Sequence, residues 1–133
     1  MTTLSGGCLC GAIRYRVDGD ILSVTHCHCR MCQRASGAPV VTWASVARED
    51  YVATAGVMAR YQSSDTAWRG FCTSCGSQLA FEYEASPERL YLNVGALDEP
   101  AAVTPERNIW TASRLPWQPL DAALPQYPGD AED

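Results

Sequence analysis

The chain has 133 residues, 47% hydrophobic and 19% charged, with a formal net charge of −5. That suits one globular domain, long enough to bury roughly two thirds of its unfolded surface. The acidic balance argues against a nucleic-acid partner, since phosphate contacts need a basic footprint, and no apolar run approaches the ~20 residues of a membrane span.

The N-terminal stretch Met1–Gly7 has neither a basic start nor an apolar core, so no signal peptide is expected and the cytoplasm is the expected location. Residues 6–11 read Gly-Gly-Cys-Leu-Cys-Gly, a turn whose glycines let the backbone wrap around an ion. Residues 12–17 alternate apolar and polar, the pattern of a half-buried strand, and 18–20 form a turn. A short strand over 21–25 leads into His26-Cys-His-Cys-Arg-Met-Cys-Gln-Arg34, read as a turn followed by one helical turn through Arg34. Ser36–Pro39 stops it. Strands are expected over 40–44, 51–54, 57–61, 66–71, 78–83 and 90–94, separated by polar turns at 48–50, 63–65 and 86–89. A last short strand is expected over 109–113. From Asp98 onward proline dominates, and the tail is irregular around Trp110 and Trp117. This spacing of short strands and turns describes an all-β domain.

The chemistry lies in seven cysteines. An odd number cannot be fully paired, and Cys-x-Cys spacings close strained disulfide loops. In a reducing compartment clustered cysteines are metal ligands or catalytic groups. Cys8-x-Cys10-Gly and Cys72-x-x-Cys75-Gly, about sixty residues apart, together make a closed Cys₄ zinc site of structural type. Cys27, Cys29 and Cys32 make a second cluster with an open fourth position, the usual catalytic arrangement. Two other readings stand beside it. His26 or His28 closes the second site as a structural Cys₃His centre, or the trio is a metal-free redox group whose thiolate Arg30 and Arg34 stabilise. Three thiolates on one Zn²⁺ leave a charge of −1 and a weak Lewis acid, so hydrolysis is not the natural chemistry. A sulfur-rich zinc ion instead suits a fourth thiolate, and a small thiol activated there adds to an electrophile such as an aldehyde.

Gly7-Cys-Leu-Cys-Gly11, the His26–Arg34 stretch with Ser36-Gly37, Phe71-Cys-Thr-Ser-Cys-Gly76 and Trp110-Thr-Ala-Ser-Arg-Leu-Pro-Trp117 together resemble the glutathione-dependent formaldehyde-activating enzyme family. The resemblance runs from about residue 4 to Tyr127 as one domain, with 128–133 expected to be a disordered tail. It implies a zinc-stabilised β-tent of short antiparallel strands. It also implies two Zn²⁺ per chain, a structural ion at Cys8, Cys10, Cys72 and Cys75 and a catalytic ion at Cys27, Cys29 and Cys32. The implied activity is that of a carbon–sulfur lyase joining glutathione and formaldehyde as S-hydroxymethylglutathione. The alternative is a non-catalytic zinc-binding module with two closed sites.

Other candidate residues carry weaker signals. All ten basic residues are Arg, which grips carboxylates in bidentate fashion; Arg34, two residues after Cys32, and Arg114 in the Trp-rich tail are candidates for binding the small thiol. Trp43, Trp110 and Trp117 offer walls for a pocket, while Tyr15, Tyr61, Tyr83 and Tyr91 read as strand packing. Exposed edges of a small β domain allow a homodimer.

Overall fold

The computed structural model describes residues 3–131. Its strands are β1 (Thr3–Gly7), β2 (Arg14–Asp18), β3 (Ile21–Cys27), β4 (Val41–Ala47), β5 (Tyr51–Ala55), β6 (Ala59–Ser64), β7 (Ala67–Phe71), β8 (Gln78–Tyr83), β9 (Arg89–Asn93) and β10 (Arg107–Ile109). A single α-helix among the described residues, α1 (Arg30–Ser36), follows β3. The strands form a three-stranded sheet ordered β1-β2-β5 and a seven-stranded sheet ordered β10-β3-β4-β9-β8-β7-β6. The all-β expectation therefore holds, and both cysteine groups close into clusters within it.

Period-two alternation explains how the large sheet serves two purposes. On β4, β8 and β9, Ala44, Val46, Ala80, Leu90 and Leu92 join Leu4, Tyr15 and Val17 of the small sheet in the main core. The alternate residues Val41, Trp43, Phe81 and Tyr91 gather on the other face with Cys27 and Cys32. Successive side chains of a strand point to opposite faces, so one sheet seals the core with one face and builds a second apolar surface with the other. Cross-strand register aligns Arg69 with Phe81 and Phe81 with Tyr91. That row belongs to the second face.

Several elements differ from the sequence reading. β1 was not expected, because Gly6 and Gly7 read as a turn. They are in a strand because it passes close to its neighbours: a Cβ on Gly6 would lie 2.4 Å from the Tyr15 hydroxyl, and one on Gly7 2.3 Å from the Ile13 carbonyl oxygen. The helix runs beyond Arg34 to Ser36 and ends at Gly37, whose φ of 73° is left-handed, the usual C-terminal stop. The last strand is 107–109 rather than 109–113, and it pairs parallel with β3, so the large sheet is not wholly antiparallel. Residues 111–113 form a 3₁₀ turn because Trp110 takes φ 56°, ψ 38° and breaks the extended chain. The expected disordered tail falls partly outside the described residues, at 132 and 133. Pro128 and Gly129, by contrast, accept backbone hydrogen bonds from Ala112 and Trp110.

Candidate metal centres and active site

The first cluster joins two distant turns. Cys8 follows β1, Cys72 follows β7, and the four sulfurs of Cys8, Cys10, Cys72 and Cys75 lie within 4.8 Å of one another. Two separations are 3.6 Å, Cys8 to Cys10, and 3.9 Å, Cys10 to Cys72. Sulfurs about 2.3 Å from a central zinc in a regular tetrahedron stand about 3.8 Å apart, so this donor set fits the ion and is far from disulfide distance. Backbone and hydroxyl donors brace it. The Ile13 amide donates to Cys8 Sγ at 3.2 Å. Ser77 Oγ lies 3.2 Å from Cys75 Sγ and accepts from the Leu9 amide at 2.9 Å, tying the two turns together. The Ser77 hydroxyl, with the amides of Ser77 and Cys10, holds the Cys75 thiol down to about 5. Leu79 and Ile13 pack beside these cysteines, where the two sheets meet.

The second cluster sits where β3 ends and α1 begins. Cys27 is the last residue of β3, Cys29 caps α1, and Cys32 is in its first turn. Their three sulfurs also lie within 4.8 Å of one another, with Cys27 and Cys32 3.5 Å apart. Cys29 Sγ accepts from the Cys32 amide at 3.3 Å. Donation from the Cys27 and Cys32 thiols draws Cys29 down to about 2, and the bond to Cys29 pushes Cys27 up. Three thiols this close in a half-buried site oppose one another's ionisation, and full ionisation calls for a cation among them. Spacing and charge both fit a zinc ion.

Neither histidine completes this set. His26 Nδ1 is 2.8 Å from Thr42 Oγ1, and His28 Nε2 is 3.1 Å from Asn108 Oδ1. Among the described residues the metal-ligating group contains the three cysteines alone. The geometry keeps a fourth position free of protein ligands, which disfavours the closed Cys₃His alternative.

The trio faces a cavity of about 360 Å³. Trp43, Phe81, Tyr83, Tyr91, Ile109 and Trp110 are among its walls, with Arg30, Arg69 and Asp130 as the charged members. Arg69 stands beside the sulfurs: Nη1 and Nη2 are 3.7 and 3.6 Å from Cys32 Sγ, and the guanidinium lies 5.0 Å over the Phe81 ring. The residue is only 5% exposed, its Nε has no hydrogen-bond partner, and no carboxylate pairs with it among the described residues. A buried cation in that position balances negative sulfur. A second, more polar hollow of about 530 Å³ shares Trp43, Tyr83, Tyr91 and Ile109 with the first and carries Arg89, Arg107 and Glu88. Ser45 accepts from Arg89 at 2.8 Å and Thr25 from Arg107 at 3.0 Å. Gln33 locks the arrangement, its amide donating to the carbonyls of His28 at 2.9 Å and Ser113 at 3.3 Å.

The seven cysteines converge in the four-plus-three grouping read from sequence. Arg34 is exposed on α1 and does not line the cavity. Arg114 spends its guanidinium on the carbonyls of Leu115 and Gln118, at 3.4 and 2.7 Å, and is likewise absent from the walls. The basic groups at the two hollows are Arg30 and Arg69 in the first and Arg89 and Arg107 in the second. Trp43 and Trp110 do line the cavity, whereas Trp117 is exposed. Tyr15 is packed in the core and Tyr83 and Tyr91 line the cavity, but Tyr61 is 65% exposed and packs little. Arg69 was missed; its cross-strand pairing with Phe81 becomes visible only once β7 and β8 are in register.

A β-sheet scaffold carrying a four-sulfur cluster and an open three-sulfur cluster beside an aromatic cavity defines a thiol-rich protein with two candidate metal sites. The model of the glutathione-dependent formaldehyde-activating enzyme family matches residues 3–113, and the chain belongs to that family. It is 29% identical over 93 residues to a Schizosaccharomyces pombe protein described as an uncharacterized lyase, covering 70% of this chain and 67% of that one. A crystal structure of a Rhodobacter sphaeroides protein has the same fold, with a TM-score of 0.59 and 24% identity over 92% of this chain and 98% of the other.

Proposed function

We propose that the chain is a zinc-dependent carbon–sulfur lyase that makes and breaks the adduct of a small thiol with an aldehyde. Glutathione and formaldehyde, the pair that names the family, are the first substrates to test. The observation that carries the reading is the open cluster: three sulfurs at one side of a cavity, with no fourth protein ligand among the described residues. Cys27, Cys29 and Cys32 would hold a zinc ion, which when bound would supply a soft position for an incoming sulfur and favour its thiolate form.

The chain's own residues do the rest. Trp43, Phe81 and Tyr91 give the cavity a largely apolar wall beside the sulfurs, which lowers the local dielectric and strengthens electrostatic interactions there. Arg69 offsets the negative charge of the sulfurs, so that a further anionic sulfur can approach. The adjoining hollow carries Arg89 and Arg107, each also bonded within the chain, beside Glu88 and Asp130, and this mixed charge suits the polar body of a peptide thiol. In the addition direction the sulfur attacks the carbonyl carbon, a carbon–sulfur bond forms and the carbonyl π pair moves to oxygen. The proton lost by the thiol ends on that oxygen. The lyase direction is the reverse.

The test is exchange NMR of glutathione with formaldehyde, which reports adduct formation faster than the uncatalysed background. The zinc-loaded protein is expected to accelerate exchange. Cys29→Ser is expected to lose that acceleration and one zinc while keeping its far-UV circular dichroism. Full acceleration by Cys29→Ser would overturn the proposal.

A further inference from the structure

Trp110 is the only non-glycine residue with positive φ among the described residues. A bulky residue in that region is an outlier, and backbone strain of this kind persists where the surroundings impose it, commonly at functional sites. The surroundings here are specific. Ile109, the preceding residue, lies opposite Cys27 in the β10–β3 pairing, and its carbonyl accepts from the His28 amide at 3.1 Å. The Trp110 amide is held by the Gly129 carbonyl at 2.8 Å. The strained turn thus sets Trp110 in the wall of the cavity that the sulfur trio faces. Yet the residue is 41% exposed, so the ring gains little from core packing. It forms a cavity wall instead.

The cavity's size points the same way. Formaldehyde has two heavy atoms and takes roughly twice the ~30 Å³ that one water occupies in the liquid. That is roughly a sixth of the 360 Å³ of the cavity whose lining includes Trp43, Phe81, Tyr91 and Trp110. An engineered apolar cavity of about 150 Å³ is enough to bind benzene. The neighbouring hollow, with Arg89, Arg107, Glu88 and Asp130 in its lining, suits the polar body of a peptide thiol. The aromatic space is left for the other half of the adduct.

Building on the proposed lyase reading, we infer that the physiological electrophile is an aldehyde with an apolar, ring-sized substituent, and that Trp110 is the specificity-determining wall that receives it. The product is a hemithioacetal, formed by the bond changes given above with hydrogen on formaldehyde replaced by that substituent. Nothing else enters or leaves the balance.

Stable thioethers test the cavity without turnover. Calorimetry on the zinc-loaded protein with glutathione, S-methylglutathione and S-benzylglutathione separates the two halves of the argument. The benzyl compound is expected to bind at least about tenfold more tightly than the methyl compound, a modest demand for burying a phenyl ring. Trp110→Gly is expected to shrink that ratio at least about fivefold without lowering the melting temperature, because glycine accepts the left-handed conformation. Equal binding of both thioethers by the native protein, with glutathione still bound, overturns this inference and leaves the lyase reading standing. An unchanged ratio in Trp110→Gly removes Trp110 from the role. Failure of all three compounds to bind overturns both.

Discussion

Arg69→Met tests the electrostatic logic of the open cluster. The guanidinium nitrogens stand 3.6 and 3.7 Å from Cys32 sulfur in a residue 5% exposed. Opposite full charges at about 4 Å attract by about 4 kcal/mol at an effective dielectric near 20. A metal ion draws off part of the sulfur charge, so about half of that attraction, roughly 2 kcal/mol, is the share that depends on Arg69. At 1.36 kcal/mol per decade this is about thirtyfold in affinity. Three thiolates on a divalent ion carry −1, and Arg69 brings the ensemble to neutrality; Met keeps the bulk over Phe81 and removes the charge. Competition titration against a chromophoric chelator resolves the two ions, and cobalt substitution reports the sulfur ligands through charge-transfer absorption. The expected result is about thirtyfold weaker binding at Cys27, Cys29 and Cys32, with the four-cysteine site unchanged as an internal control for folding. Arg69→Lys should recover part of the loss. Native affinity at both sites in Arg69→Met would refute the charge-balance argument.

Cys72→Ser removes a ligand that ties β7 to the turn after β1, so it should release one zinc and lower the melting temperature, whereas Cys29→Ser releases its zinc with the fold retained; metal analysis and thermal scans separate the two. Leu79 is fully buried beside the four-cysteine cluster, and Leu79→Ala should cost 2–5 kcal/mol in urea unfolding. Arg14 donates to both carboxylate oxygens of Asp98 and holds its pKa below the usual value. A depressed folded pKa contributes stability above the unfolded carboxylate value of about 3.9, lost as pH falls through the folded value. Asp98→Asn should therefore lower the melting temperature at pH 7 and make little difference at pH 2.5.

The metal clusters were legible because their ligands come in short local pairs, with spacing that geometry restricts. Strand alternation gave most of the large sheet. What stayed hidden depended on register. Gly6 and Gly7 read as a turn, since the need for a bare backbone against Tyr15 and the Ile13 carbonyl arises only when β1 and β2 pair. Arg69 looked like any strand arginine; its pairing with Phe81 across β7 and β8 placed it over the sulfurs. Arg34 was favoured by closeness in sequence to Cys32, but α1 turns it to the exposed side. Arg114 was favoured by its Trp-rich neighbourhood, but local carbonyls take its donors. The β10 strand was misplaced by a few residues because Trp110, a good strand former by propensity, adopts a left-handed conformation that propensity disfavours.

The central claim is an open sulfur site that accepts a thiol. X-ray absorption at the zinc edge, with metal content measured on the same sample, tests it most directly. The account predicts two zinc ions per chain, one with four sulfurs and one with three sulfurs and a light atom, the second becoming four-sulfur on addition of glutathione. Two closed coordination shells indifferent to glutathione would contradict it.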